Sequence, residues 1–458
     1  MASTYLTKTF SSAGNRKTWT MSAWIKRTAL ASSSDIRVWG WKSGGGNYGF
    51  QFDSDAFRFY LVAGGSGAEF LTNRKFRDTN AWYHIVAKCD TTQATQSERF
   101  KLYINGVQET SFSTATYPNQ NEDTAINQAE VCRLGCNVVA TNSFFDGLMS
   151  HVHFTDGYAY DASTFGSTDS TTGEWNINTS PSVTYGTNGF FLLKDDNAVT
   201  DRSGQGNNFT LGGGTFTKTE DNPSNVFDTI NTNFAKTGGV NGRDSNIRVF
   251  IDNGATRLST DVALWTTMLG SIPMFSGKYY WECKRTFEGS PSNHLAYVGI
   301  EPLDTAGTTL GSPVGTNTNA IAYYTAGSVN KSNSSQSGTW ASWQSNNDIA
   351  QVAVDLDNYF IYFGKNGTWQ NSGDPTSGSS GTGGIAIMAG KGYVNGFTTH
   401  RGGGSSGGDK SMLKMNFGNG YFQQTAVASA GTNTSNNGIF EYDVPAGYTA
   451  LSTKGLNL

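Results

Sequence analysis

The chain has 458 residues, with Lys+Arg 32 against Asp+Glu 36, a formal net charge of -4, and 15% charged and 13% aromatic residues. At roughly 100–200 residues per domain this makes two or three domains, each able to bury a core, and a nearly balanced charge without a basic block excludes a nucleic-acid footprint. Glycine, at 56 of 458 residues or about 12%, exceeds the ordinary ~7%, yet aromatics are abundant and no Gly-X-Y period exists, so neither collagen nor a disordered chain fits.

Aromatic and β-branched residues pack on pleated faces while glycine supplies positive φ in tight turns, so this mixture predicts an all-β protein. Strand-like runs appear in chain order at Trp19–Ile25, Ile36–Trp41, Tyr48–Phe52, Phe57–Val62, Trp82–Ala87 and Leu148–Phe154, alternating or continuously apolar between polar clusters. Asn105-Gly106 follows the alternating Phe100–Ile104 and predicts a type I′ hairpin turn. Seven further Asn-Gly pairs start at Asn188, Asn241, Asn253, Asn366, Asn395, Asn419 and Asn437, and Asn366 stands out because Tyr359–Phe363 precedes it and Trp369 follows. From about Thr187 to Phe227, with Asp201-Arg-Ser-Gly-Gln-Gly-Asn-Asn and the glycines 212–214, the composition reads as turns and a connector. Thr260–Leu269 is the nearest approach to a helix, with Thr260 or Asp261 as its cap. Beyond it come strand-like runs at Tyr279–Cys283, Ala296–Ile300, Ala320–Tyr324, Ile349–Val354, Tyr359–Phe363, Ile385–Ala389 and Met412–Phe417, with surface-loop compositions at 371–384 and 401–408.

Cys89, Cys132, Cys136 and Cys283 are too few and too scattered for a disulfide framework, and the Cys132/Cys136 spacing lacks partners for a zinc set, so they read as buried free thiols. The opening Met1-Ala-Ser-Thr-Tyr lacks the apolar stretch of a signal peptide, and no apolar run approaches 18 residues, so neither export signal nor membrane insertion is expected.

Titratable chemistry is sparse. The five histidines are His84, His151, His153, His294 and His400; His151 and His153 share a strand face through their i, i+2 relation, without a third ligand nearby in sequence. No Gly-x-Ser-x-Gly elbow precedes a helix, Gly390-Lys391 lacks the first glycine of a phosphate loop, and no Glu-x-Asp-x-x-Glu cluster supplies the acids of glycoside hydrolysis. Asp355 and Asp357 read as strand-end and turn residues, and Asn178 and Asn208 as chance matches to the glycosylation pattern. Trp340 and Trp343, among small polar neighbours, suit sugar stacking, although packing or a strand edge is the simpler reading.

The residues Tyr5-Leu-Thr-Lys-Thr-Phe through Trp24-Ile-Lys-Arg, then Trp82-Tyr-His-Ile-Val-Ala, Phe100-Lys-Leu-Tyr-Ile-Asn-Gly-Val and Phe145-Asp-Gly-Leu-Met-Ser-His-Val-His-Phe, resemble laminin-G-like, concanavalin A-like jelly rolls. Ser276-Gly-Lys-Tyr-Tyr-Trp-Glu, Val298-Gly-Ile, Ile349–Asp357 and Tyr362-Phe-Gly-Lys-Asn-Gly resemble a SPRY (B30.2-type) sandwich. The resemblance implies a jelly roll over 1–215, a connector over 216–275 and a SPRY-like sandwich over 276–458. The opening, the Asp201–Thr210 stretch, Asp221-Asn-Pro-Ser-Asn and the tail from Met415 to Leu451 are similar to bacteriophage tail and virion proteins, especially marine ones. The family's calcium-binding acids match no residues here, so structural calcium has no assigned ligands and no cofactor is expected; catalytic residues are none, and metal and ligand residues stay unassigned.

The same resemblance implies a non-enzymatic phage virion protein, a tail fibre or surface appendage that binds a host surface glycan or protein. A capsid decoration or head-fibre protein, and a polysaccharide depolymerase, are the alternatives. Its expected partners are other virion proteins and further copies of itself, three-fold by analogy with tail fibres, and its expected location is the virion, assembled in the host cytoplasm.

Overall fold

The computed structural model describes residues 4–27, 35–62, 65–194, 199–215, 219–237, 249–252, 256–260, 264–288, 294–306, 312–401, 410–423 and 425–457. The chain divides into two compact units, Met1–Lys218 and Thr219–Leu458, each a pair of sheets enclosing a core.

In the first unit an eight-stranded antiparallel sheet runs, from edge to edge, Phe112–Thr116, Glu69–Lys75, Ala56–Tyr60, Gly46–Asp53, Ile36–Ser43, Val131–Leu134, Tyr5–Thr9 and Thr210–Gly213. Opposite lies a six-stranded sheet in the order Phe190–Leu192, Gly147–Asp156, Thr18–Arg27, Tyr83–Asp90, Phe100–Ile104 and Val107–Gln108. Alternation sets what each strand buries: along Thr18–Arg27, Trp19, Met21, Ala23 and Ile25 enter the core, where Trp19 stacks on Phe59 of the other sheet. Trp41 meets Phe154 at 4.7 Å between ring centres, and side chains of this size contribute about 1.5–3 kcal/mol each when fully buried. The opposite face of Thr18–Arg27 is buried too. The segment 157–189, with the short strands Gly166–Thr168 and Trp175–Ile177, crosses that outer face as a strap and packs Phe165 and Trp175 against Val86 and Tyr103.

In the second unit a seven-stranded sheet runs Ile230–Thr237, Thr266–Gly270, Tyr393–Arg401, His294–Pro302, Ile321–Tyr324, Ser328–Lys331 and Ser334–Ser335. Its partner sheet runs Val249–Asp252, Arg257–Thr260, Ser411–Asn416, Lys278–Phe287, Ile349–Asp355, Phe360–Lys365 and Thr368–Trp369, with Ile385–Ala386 and Thr449–Ala450 paired alongside. All these pairings are antiparallel except that of Thr449–Ala450 with Tyr279-Tyr280. Trp281, Tyr323, Trp343, Phe397 and Met415 fill the core.

The architecture is therefore all-β, in two antiparallel sandwiches, as composition and patterning require. The stretch 216–275 is not a connector: its four strands form the edge pair of each sheet in the second unit. Nor does the end of the expected helix stand: Asp261 to Ala263 lie outside the described residues, while Thr266–Gly270 is a strand buried along its whole length, and a strand buried on both faces carries no period-2 signature. Asn105-Gly106 (φ 48° and 77°) and Asn366-Gly367 (φ 46° and 85°) have the two left-handed residues of a type I′ turn. Asn395-Gly396 lies inside the Tyr393–Arg401 strand, and Asn188 leads into Phe190–Leu192 without positive φ, so neither is a hairpin turn. Asn241-Gly242, Asn253-Gly254 and residues 402–408 lie outside the described residues.

Candidate binding surface

The polar residues singled out by chemistry are bonded internally. His84, His151 and His153 come together beneath the strap. The His84 ring stacks 4.8 Å from Trp24, lies 2.9 Å from Ser22 Oγ through Nε2, and receives the Trp175 Nε1 hydrogen at Nδ1, also at 2.9 Å. Burial, helped by the nearby His151, pushes its pKa down to about 3. His153 stacks on Phe191 at 3.9 Å with Nδ1 2.9 Å from the Tyr185 hydroxyl, and burial lowers it well below the ordinary histidine value. The i, i+2 relation does bring His151 and His153 to one face, 6.5 Å apart, with a bulge between them at which His151 takes φ 47°. Among the described residues no three His, Cys, Asp or Glu side chains are grouped to hold a metal ion.

In the second unit His294 is buried against Phe287, with Nε2 2.9 Å from the Glu288 carbonyl, and His400 packs on Trp265. Asp355 ends its strand, accepting the amides of Asp357 and Asn358 and pairing with Lys278 at 2.9 Å. Glu282 receives the Glu441 and Tyr442 amides and the Tyr280 hydroxyl, each at 2.9 Å, yet burial outweighs these donors and pushes its carboxyl up to about 7. All four cysteines are free and buried, and burial raises each thiol. Trp343 is fully buried and Trp340 packs partly buried against the same core, so neither offers an open indole face. Asn178 and Asn208 both bond locally, the first to the Thr164 carbonyl and the second to the Asp201 amide.

What stands open is apolar. Phe275 (68% exposed), Met388 (47%), Tyr359 (41%) and Leu303 (39%) are large hydrophobic side chains on four different loops. The sheet register puts all four at one end of the second sandwich. Lys278 pairs with Asp355, so the 271–277 and 356–359 loops are neighbours; Pro302 pairs with Tyr393 and Met274 bridges Tyr393, which brings in residues 303–306 and the 387–392 loop. Gly392 is the meeting point: a Cβ there would stand 2.5 Å from Phe275 and 2.7 Å from Leu303, so only glycine lets both rest over its backbone. The Leu303 amide donates to the Gly392 carbonyl, and the Tyr393 hydroxyl lies between the Met388 amide and carbonyl, fixing the loops to one another. The Lys391–Asp304 ion pair and the Asn319 amide, 3.2 Å from the Met388 sulfur, give this end a polar margin. Sequence reasoning missed it because Phe275, Leu303, Tyr359 and Met388 are far apart in the chain and share no motif.

Residues 2–164 match the Laminin_G_3 family, described as the concanavalin A-like lectin/glucanases superfamily. The match stops before two strands of the first sandwich, Phe190–Leu192 and Thr210–Gly213. No curated protein matches the chain. Solved structures similar to parts of it include the SPRY domain of human HERC1 (17% identity, 38% of this chain and 96% of that one, TM-score 0.28) and a human SPRY domain (16%, 37% and 96%, TM-score 0.27). Stonustoxin is similar at 11% identity over 41% of this chain and 27% of that one, with TM-score 0.28.

Proposed function

We propose that this chain is a non-catalytic recognition protein of a phage particle, a tail fibre or comparable surface appendage, and that the loop end of the second unit contacts a host surface glycan or protein. The observation that carries this reading is that Phe275 and Leu303 meet over Gly392 at the same end of the sandwich that exposes Tyr359 and Met388, where exposed apolar groups with a polar rim suit a binding partner better than solvent. Two further points support it: the acids and histidines that chemistry would need are bonded internally, and the match of residues 2–164 to a superfamily of lectins and glucanases is in keeping with a glycan as the partner. The phage assignment rests on the sequence resemblance and the order of its two modules.

The test is binding of the purified full chain to a glycan array and to bacterial cells, alongside a Phe275→Ser/Leu303→Ser variant of unchanged circular dichroism. Binding that the variant loses by at least tenfold is expected. Absence of binding by the unaltered chain, or full binding by the variant, overturns the reading. Cryo-electron microscopy of particles then separates a few to a few tens of copies on a tail from a regular shell on the head, where the same end would instead face a neighbouring subunit.

A further inference from the structure

We propose that the 157–189 strap of the first unit is an acid-released latch, held on the six-stranded sheet by two histidine rings that must stay neutral. The chain leaves the sheet at Asp156, crosses its outer face and re-enters at Phe190. At the far side of that crossing the strap is fastened by Trp175, whose indole hydrogen goes to His84, and on the return by Tyr185, whose hydroxyl meets His153.

The tautomer of His84 is fixed by its neighbours. An indole nitrogen only donates, so Nδ1 must carry the lone pair and Nε2 the hydrogen that faces Ser22 Oγ. A proton added to Nδ1 would point at the Trp175 N–H, turning a bond into two opposed donors. The ring also lies face to face with Trp24 at 4.8 Å, and the Trp175 indole meets it edge-on at Nδ1. His153 lies between Phe191, Tyr185 and Phe165, where a positive charge would lose its hydration.

The charged and titratable groups around the pair do not relieve this. His151 stands on the same strand as His153, and Lys194, 5.7 Å from the Phe191 ring, extends beyond the neighbouring strand; both are of the charge sign that opposes protonation. Lys26, buried, follows Trp24 on the adjacent strand. On the strap, Tyr160 packs near Phe165, and Asp161 is already held by Lys88 at 2.8 Å and Tyr103 at 2.8 Å. Asp201 accepts four hydrogen bonds from its own loop and its strand. Among the described residues no carboxylate bonds either ring.

Opening the strap returns both rings to water and to ordinary basicity. Below about pH 6.5 each ring that gains a proton on opening multiplies the open-to-closed ratio tenfold per pH unit, and the two together up to a hundredfold. The closed form is thus fully favoured above pH 6.5 and loses ground as pH falls. Release uncovers Trp24, Val86 and Phe191, an aromatic face on the side of the sheet away from the core.

Amide hydrogen exchange of the full chain from pH 7.5 to 4.5, corrected for the intrinsic pH dependence of exchange, reads the opening directly. Exchange of the 158–185 amides is expected to accelerate by 10- to 100-fold per pH unit below about pH 6, while Thr18–Arg27 and Tyr83–Asp90 remain protected. Trp175→Phe keeps a ring beside His84 but removes the opposed donor, and is expected to flatten the dependence towards one proton; His84→Gln should do the same. A strap whose exchange is independent of pH, a slope unchanged in Trp175→Phe, or loss of protection in strap and strands together, overturns the latch.

Discussion

The side-chain oxygen of Asn366 accepts the amide of Ile349 at 2.8 Å, while the Asn366 amide donates to the Ile349 carbonyl at 2.9 Å. Asn105 makes the same two bonds with His84 in the other unit, at 2.7 and 2.9 Å. In each sandwich an asparagine in left-handed conformation, followed by glycine, therefore closes one hairpin and clips it to the strand beside it. The turn and the sheet are locked by one residue.

Replacing Asn366 by alanine removes both the bond accepted from the Ile349 amide and the one donated to the Asp348 carboxylate at 2.8 Å, and leaves a Cβ-bearing residue without a compensating side chain at φ 46°, so a loss of about 3 kcal/mol in the second unit is expected, about 1 from each of the three effects. Asn366→Gly keeps the backbone freedom and isolates the two side-chain bonds, and should lose about 2 kcal/mol. Urea unfolding of both variants separates the backbone contribution from that of the bonds.

Asp201 is the centre of a loop whose composition resembles a linker but which is tied shut: its carboxylate accepts the amides of Phe191, Ser203 and Asn207 and the Ser203 hydroxyl, at 2.7 to 2.8 Å. Asp201→Ala leaves a strand amide and two loop amides without their acceptor. A loss of about 2–3 kcal/mol is expected. Calorimetry of the variant should show the first unit melting lower with the second unchanged.

Glu282 gives a pH dependence with a definite sign. Its carboxyl is raised from 4.5 to about 7 by burial, so the protonated form is favoured in the folded chain; the Tyr280 hydroxyl, 2.9 Å away, can turn to accept that proton. The contribution is fully present below about pH 4.5 and is lost as pH rises through 7, amounting to about 3 kcal/mol. Denaturant unfolding of the second unit at pH 5 and pH 8 should show this decline, and Glu282→Gln should abolish the difference.

Gly392→Ala tests the loop end without replacing any of its exposed apolar residues. The added methyl must displace both Phe275 and Leu303, since each lies within 2.7 Å of its position. Because those side chains stand at the surface, stability should change by less than about 1 kcal/mol while partner binding falls by tenfold or more. Equal loss of stability and binding would argue against a preformed surface.

Much of the strand inventory was legible because short-range pattern decides it: Thr18–Arg27, Phe100–Ile104 and Ile349–Asp355 alternate or run apolar between turn residues, and two Asn-Gly pairs have the φ values their turn requires. Asn395-Gly396 misled for a tertiary reason. There the amide side chain bonds the buried Asp228, and the missing Cβ of Gly396 admits Val314, which would stand 2.8 Å away. The same holds for Thr266–Gly270, whose burial on both faces erases the alternation that marks a strand. Of the candidate surface nothing was legible, because Phe275, Leu303, Tyr359 and Met388 become neighbours only through sheet register.

The first strand of the first unit, Tyr5–Thr9, lies antiparallel beside its last, Thr210–Gly213, with Tyr5 opposite Gly213. Tension applied at those two residues would load the ladder from one end, breaking its hydrogen bonds in succession and never all at once. Pulled in this way the sandwich yields by unzipping, at far lower force than the same strands would bear in shear. Any attachment through both of these points would act as a compliant joint rather than a rigid strut.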